Sequence, residues 1–276
     1  MDTAVTRTSQ RRDHVLCLHS SLSSSQQWQG LADRLQSEFN VHTPDLIGYG
    51  DAPHWAVGIE ASLDREIERL ADLVDELDGP IHLVGHSYGG AVAIRAAVAF
   101  GPRISSLSVY EPVVFQALLE ASDEAPATLE MLRLIEQLKA DCAGGNLLRA
   151  AGRFIDYWSG PGTWTAIPVH KQYRLASQVP AGMANFDAAM KAKNPLPKLA
   201  ESGLPTLYLA GQDSPEAAQA MGRQFTWQVS HAVRHRFRGT GHMGPITNAE
   251  AVNSRIARFV KHRAAKQYRQ DYAWAA

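Results

Sequence analysis

The stretch that most constrains this chain is Ile81 to Gly90, Ile-His-Leu-Val-Gly-His-Ser-Tyr-Gly-Gly. An apolar run of strand length passes at once into a helix of small residues, Ala91 to Phe100, which Gly101-Pro102 stops. A strand that reverses straight into a helix crowds the residues two before and two after the apex. Both are glycine here, Gly85 and Gly89, with no Cβ atoms to collide. The apex residue, Ser87, is then expected in a strained backbone conformation, its side chain presented above the sheet edge and the free N–H groups of a helix N-terminus beside it. A serine that only capped the helix needs no glycine on either side. The pattern points to a nucleophilic hydroxyl.

The rest of the chain can be read around that turn. Val15 to Leu18 is a fully apolar run that suits a strand buried on both faces. Trp28, Leu31, Leu35 and Phe39 recur at helical spacing, with Ser25 as N-cap. Val41 to Thr43 is the next strand, followed by the turn-rich Pro44 to Asp51. Leu63, Ile67, Leu70, Val74 and Leu77 mark an amphipathic helix opened by Ser62. Ile104 to Tyr110 is a strand ended by Glu111-Pro112. This alternation of strand and helix predicts an α/β fold, a mostly parallel twisted sheet with right-handed crossovers and helices on both faces.

The alternation breaks after Pro112. Residues 113–202 show only helical patterns, with faces at Met131, Leu132, Ile135 and Leu138, at Leu147, Leu148, Phe154, Ile155 and Trp158, and at Met183, Phe186 and Met190. Strand character returns at Thr206 to Ala210 and at Arg234 to Phe237, an edge-type strand. A capping box, Thr247 to Glu250, is expected to open a last helix with Val252, Ile256, Phe259 and Val260 inward. The expected organisation is therefore a core of residues 1–112 and 203–276 with a helical cap, 113–202, inserted into it. The basic, then aromatic tail from Lys261 stays unassigned.

Composition excludes several partner classes. With 276 residues, a net charge of −1 and a pI near 6.8, the chain has no electrostatic footprint for nucleic acid or an anionic membrane surface. Two cysteines, Cys17 and Cys142, are too few for a disulfide framework. No apolar leader or membrane-length run is present, and a cytoplasmic location is expected. A homodimer is left open.

The Gly85-x-Ser87-x-Gly89 turn in its strand–helix context resembles the nucleophile elbow of the α/β-hydrolase superfamily. Superfamily members have two antiparallel strands ahead of the one carrying Val15. Only fourteen residues precede it here, so at most one or two short strands fit, around Ala4 to Thr8. The resemblance implies a triad in the chain order serine, acid, histidine. Among eleven histidines, His242 lies in the glycine-flanked loop Gly239 to Pro245 where the superfamily places its base. His231 and His235 have i,i+4 spacing but no third ligand, so no metal is expected. His86 follows strand alternation away from the nucleophile and is assigned to packing.

The acid has two candidates. Members commonly carry aspartate three residues after the glycine ending the strand at Thr206 to Ala210. That glycine is Gly211, the place three residues on holds Ser214, and Asp213 stands one place early. Some relatives place the acid after the preceding strand, where Glu111 fits without adjustment and is favoured. The oxyanion donors implied are the backbone N–H groups of Tyr88 and Ser21, although relatives have glycine where this chain has Ser20. His19, Asp45 and the Gly48-Tyr49-Gly50 turn are read as scaffold. Leu22, Trp158, Phe186 and Met243 are the candidates for lining a substrate pocket.

These features imply a cofactor-free serine hydrolase of the carboxylesterase type acting on a small-molecule ester. A serine nucleophile argues against dehalogenase or epoxide-hydrolase chemistry. A C–C bond hydrolase, lactonase, thioesterase or perhydrolase shares the same triad. The alternative from another class is a non-catalytic binder of small ligands.

Overall fold

The computed structural model describes residues 12–55 and 60–272, with side chains to residue 266. The strand expected around Ala4 to Thr8 lies outside the described residues. Six strands form one sheet: β1 (His14–Leu18), β2 (Asn40–His42), β3 (Ile81–His86), β4 (Ile104–Tyr110), β5 (Thr206–Gly211) and β6 (Val233–Phe237). Their order is β2-β1-β3-β4-β5-β6 and every pairing is parallel. The chain runs outward from β1 to β2 and then returns to place β3 on the other side of β1. That reversal opens a crevice at the carboxyl ends of β1 and β3, the usual ligand position in an open parallel sheet.

Strand alternation divides the core into two layers. Leu16, Leu18, Ile81, Leu83, Leu107 and Val109 face one side, packed by α2 (Leu63–Glu76) and α3 (Tyr88–Phe100). Val15, Cys17, Val84, Leu207 and Leu209 face the other. There they meet Leu31 and Leu35 of α1 (Gln29–Leu35) and Val252, Ile256, Phe259 and Val260 of the last helix. Cys17 and Cys142 are free thiols, and burial pushes Cys17 far above its ordinary value. Among the described residues no helix is long and apolar enough to cross a membrane.

Six helices lie between β4 and β5: α4 (Phe115–Leu119), α5 (Ala125–Ala143), α6 (Leu147–Ser159), α7 (Thr163–Ala166), α8 (Val169–Lys191) and α9 (Leu196–Ser202). Ala150 and Ala151 of α6 are fully buried, as are Met131 and Leu138 of α5. Leu132 and Leu148, expected on the inner faces, are instead 37% and 38% exposed. Each sits one step around the helix from the apolar stripe.

Two capping assignments are corrected. Thr247 ends a short helix, α11 (Gly244–Thr247), and its hydroxyl donates to the Met243 carbonyl, while Glu250 pairs with Arg34. The long helix α12 (Ala249–Tyr272) therefore starts without the expected capping box. Ser25 is the first residue of a 3-10 turn, and its N–H is itself capped by Asp45 Oδ1 at 2.7 Å. The remaining core helix is α10 (Glu216–Gln228).

Candidate active site

The site is assembled from loops at the carboxyl ends of β1, β3, β4 and β6. Ser87 has φ 54° and ψ −118°, the strained apex expected from the sequence. A Cβ on Gly85 would lie 2.4 Å from the Gly89 carbonyl oxygen, and one on Gly89 would lie 2.3 Å from the His19 carbonyl oxygen. Any side chain at either place would push the strand–helix junction apart. Tyr88 begins α3, so its N–H lies in the first turn and has no acceptor within the helix.

Ser87 Oγ donates to His242 Nε2 at 3.0 Å, and His242 Nδ1 donates to Glu111 Oε2 at 2.8 Å. All three residues are buried. Glu111 Oε1 accepts from the Gly211 N–H at 2.8 Å and from Ser214 Oγ at 2.7 Å. Both carboxylate oxygens are thus occupied, which fixes the carboxylate plane against the imidazole. Glu111 has φ 41°, a left-handed conformation that turns its side chain back under the histidine loop. Asp213 is exposed and takes no part; only its backbone N–H is engaged, donating to the Thr240 carbonyl. Asp213, one place early, does not reach His242, whose Nδ1 is engaged by Glu111.

His86 is also corrected. Its ring does not point away from the site but lies with its centroid 5.2 Å from that of His242, and Nε2 donates to the His242 carbonyl at 2.9 Å. Burial, and then the neighbouring His242, push its pKa well below the ordinary value, so it acts as a neutral donor. His19 holds the loop after β1. Its Nε2 accepts from the Leu46 N–H at 3.0 Å, so Nδ1 carries the proton and donates to Ser20 O at 2.7 Å. Burial lowers its pKa to about 4. His231 and His235 are separated, one bonding the Leu204 carbonyl and the other on β6 beside Phe237. Among the described residues no cluster of histidine, cysteine or acidic side chains is arranged to hold a metal ion.

Ser87, Ser21 and Tyr88 border a cavity of about 20 Å³ closed by Val113, Phe115, Phe154, Trp158, Asn185 and Phe186. Of the four pocket residues expected, Trp158 and Phe186 line it. Leu22, at φ 55°, packs instead on Gly182 of α8, and half-buried Met243 packs on the core. The Trp158 indole lies over the imidazole, 4.2 Å between centroids. Phe186 stacks on Phe115 at 5.7 Å and meets Phe154 edge-on at 6.0 Å.

Asn185 of α8 was not foreseen. Its Oδ1 accepts from Ser21 Oγ at 2.8 Å and from Tyr49 OH at 2.6 Å, joining the cap to the loop after β1. The Tyr49 oxygen faces the Leu22 N–H, which leaves the phenol proton for Asn185 and sets the amide oxygen on that side. The amide nitrogen faces the Tyr88 hydroxyl, where it slightly opposes the strong upward push of burial on that phenol. The only sequence signal was a polar residue inside the buried stripe Gly182, Phe186, Ala189. Beneath Tyr88, buried Glu66 accepts from the Ile47 N–H and the Tyr88 hydroxyl, and burial raises it from 4.5 to about 7.

Comparison with known proteins identifies the family. The sequence model of the alpha/beta hydrolase family matches residues 15–255. The chain belongs to that family. Lipase LipV of Mycobacterium tuberculosis is 38% identical over 101 residues, 36% of this chain and 37% of its own. The 2-hydroxy-6-oxo-6-phenylhexa-2,4-dienoate hydrolase of Comamonas testosteroni is 27% identical over 66% of this chain and 63% of its own. These alignments cover less than two thirds of either relative. The structure of MenH from S. aureus superposes with a TM-score of 0.75 at 21% identity, covering 93% of this chain and 96% of that one, a likeness of fold. Ser214, at the place where the resemblance expects an acid, donates to Glu111 Oε1 instead.

Proposed function

We propose that the chain is a serine hydrolase that cleaves small carboxylic esters through an acyl-enzyme. The observation that carries this reading is the buried, continuous hydrogen-bonded series Ser87–His242–Glu111 at a strained strand–helix junction. Ser87 Oγ attacks the ester carbonyl while His242 Nε2 takes its proton. Glu111 stabilises the imidazolium through Nδ1–H. Trp158 over the ring adds a cation–π contribution of about 0.5–2 kcal/mol while that charge exists. The N–H groups of Ser21 and Tyr88 receive the alkoxide, each such donor contributing about 3–4 kcal/mol to the transition state in comparable sites. His242 then protonates the leaving alcohol. A water, deprotonated by the same nitrogen, releases the acid and restores Ser87.

Cleavage of an ester is favoured over that of a C–C bond by the cavity lining. The Comamonas relative is named for a dienoate, a carboxylate. None of the residues bordering the cavity over Ser87 carries a positive charge to balance one. The Mycobacterium tuberculosis relative is named a lipase, which supports the ester reading. The test is release of p-nitrophenol from the acetate and butyrate esters, with fluorophosphonate labelling of the serine. Both signals are expected in the wild type and absent in Ser87→Ala, a loss of about 10³-fold or more. No release and no label in the wild type would favour a non-catalytic binder.

A further inference from the structure

The loop that carries the base is held by two side chains that the proton relay does not use. The Tyr110 hydroxyl donates to the Gly241 carbonyl at 2.8 Å, and His86 Nε2 donates to the His242 carbonyl at 2.9 Å. These carbonyls belong to the peptide before His242 and the peptide after it, so the backbone is gripped on both sides of the base. Tyr110 and His86 are both fully buried. Burial pushes the Tyr110 phenol far above its ordinary value, so it keeps its proton, and His86 is neutral. Neither brings a charge against the imidazolium.

Their places in the sheet explain their reach. His86 and Tyr110 are the last residues of the adjacent strands β3 and β4 and face each other in register, their rings edge-on at 5.6 Å. The next residue on each strand is a triad member, Ser87 or Glu111. The residue before the nucleophile and the residue before the acid thus both hold the loop of the base, and one strand pair sets where all three groups lie. Gly211, at the end of β5, lets the loop cross: a Cβ there would lie 2.2 Å from the Thr240 carbonyl oxygen. The loop has backbone fastenings as well, from the Asp213 N–H to the Thr240 carbonyl and from the Gly244 N–H to the Gly241 carbonyl. Neither of those comes from β3 or β4.

We propose that Tyr110 and His86 are positioning residues for the base, holding His242 so that Nε2 meets the Ser87 hydroxyl and Nδ1 meets Glu111. This rests on the serine-hydrolase reading above. Neither residue lines the cavity over Ser87, and each acts through His242. Proton transfer tolerates little displacement: a reacting group misplaced by about 1 Å can cost on the order of 10²-fold in rate. Losing one grip of the two releases part of that displacement.

The test compares the wild type with Tyr110→Phe, His86→Phe and His86→Gln on p-nitrophenyl butyrate, with active sites counted by fluorophosphonate labelling carried to completion. Tyr110→Phe keeps the ring and removes the O–H. His86→Phe keeps a ring beside Tyr110 and His242 and removes the donor, whereas His86→Gln returns an amide N–H near the place of Nε2. The expected result is a fall of about tenfold in kcat per labelled serine in both phenylalanine variants, with KM within about twofold. His86→Gln should recover most of that loss. Counting labelled sites removes any loss through unfolded protein, so a role confined to stability would lower the melting temperature and leave kcat per site unchanged. A kcat per site within about twofold of the wild type in Tyr110→Phe overturns the proposal, and this variant decides it alone should His86→Phe fail to fold. A loss carried by KM, or His86→Gln as slow as His86→Phe, overturns it too, and ester hydrolysis still stands. If the wild type neither cleaves the ester nor takes the label, the serine-hydrolase reading fails and the positioning role falls with it.

Discussion

The two walls of the site differ in how complete they are. On the sheet side, the Ser87 hydroxyl, both imidazole nitrogens of His242 and both oxygens of Glu111 have partners without any substrate. On the cap side, the Trp158 indole N–H has no hydrogen-bond partner and the Asn185 amide nitrogen reaches only the Tyr88 hydroxyl. The sheet side is thus preorganised for a proton relay, whose geometry must exist before the substrate arrives. The cap side is tied to the loop after β1 through Asn185, whose oxygen accepts from Ser21 and Tyr49.

Substitutions on the rigid wall are the severest test of that contrast. Glu111→Gln should lower kcat/KM by about 10²–10⁴-fold, since a neutral amide cannot stabilise the imidazolium, whereas Asp213→Asn should stay within about twofold. The reverse order would place the acid on the wrong loop. Next in size is a pair of glycine substitutions, one per wall, read by thermal unfolding. Gly89→Ala puts a Cβ 2.3 Å from the His19 carbonyl oxygen, rigid backbone, and should cost about 3 kcal/mol or more. Gly182→Ala on α8 meets the end of the Leu22 side chain at 2.6 Å, which can rotate aside, and should cost about 1 kcal/mol. Equal costs would mean that the cap is as unyielding as the elbow.

A third measurement concerns the buried carboxyl beneath Tyr88. Glu66 rises from 4.5 in the unfolded chain to about 7 when folded, chiefly through burial. The folded state holds this proton more tightly, so its contribution is fully present below about pH 4.5 and is lost as pH rises through about 7. The difference amounts to about 3 kcal/mol. Denaturant unfolding across this range should show the wild type losing about that much stability relative to Glu66→Gln. Parallel pH profiles for the two proteins would show that the carboxyl is already ionised in the fold. The smallest expected effect is Ser214→Ala, which removes one of the donors on Glu111 Oε1. kcat should fall about five- to tenfold with KM little changed. A change in KM alone would assign Ser214 to binding rather than to holding the acid.

Much of this was legible in the residues because it is local. The apolar run before Gly85 and the small residues after it announce a strand–helix reversal, and Ser87 does sit at its strained apex. Glu111 was favoured through the family resemblance, in which some relatives carry the acid directly after this strand. The failures are also physical. Leu22 looked like a pocket residue by position, but its positive φ turns it onto Gly182. His86 was assigned away from the site by alternation, which describes faces of a sheet and not the loop that folds back over its end. Asn185 lies on a helix whose register against the β1 loop no spacing rule supplies.

What the sequence determined by itself is the parallel sheet, the helices on its two faces and the presented hydroxyl, because hydrophobic period and glycine placement act over a few residues. Only the tertiary structure decided which carboxylate meets the imidazole, and which cap side chains face the nucleophile. Glu111 and His242 are 131 positions apart, and Ser21 and Asn185 are 164. Contacts over such separations depend on how the loops and helices pack, to within an ångström or two, and that distance is written in no single stretch of the chain.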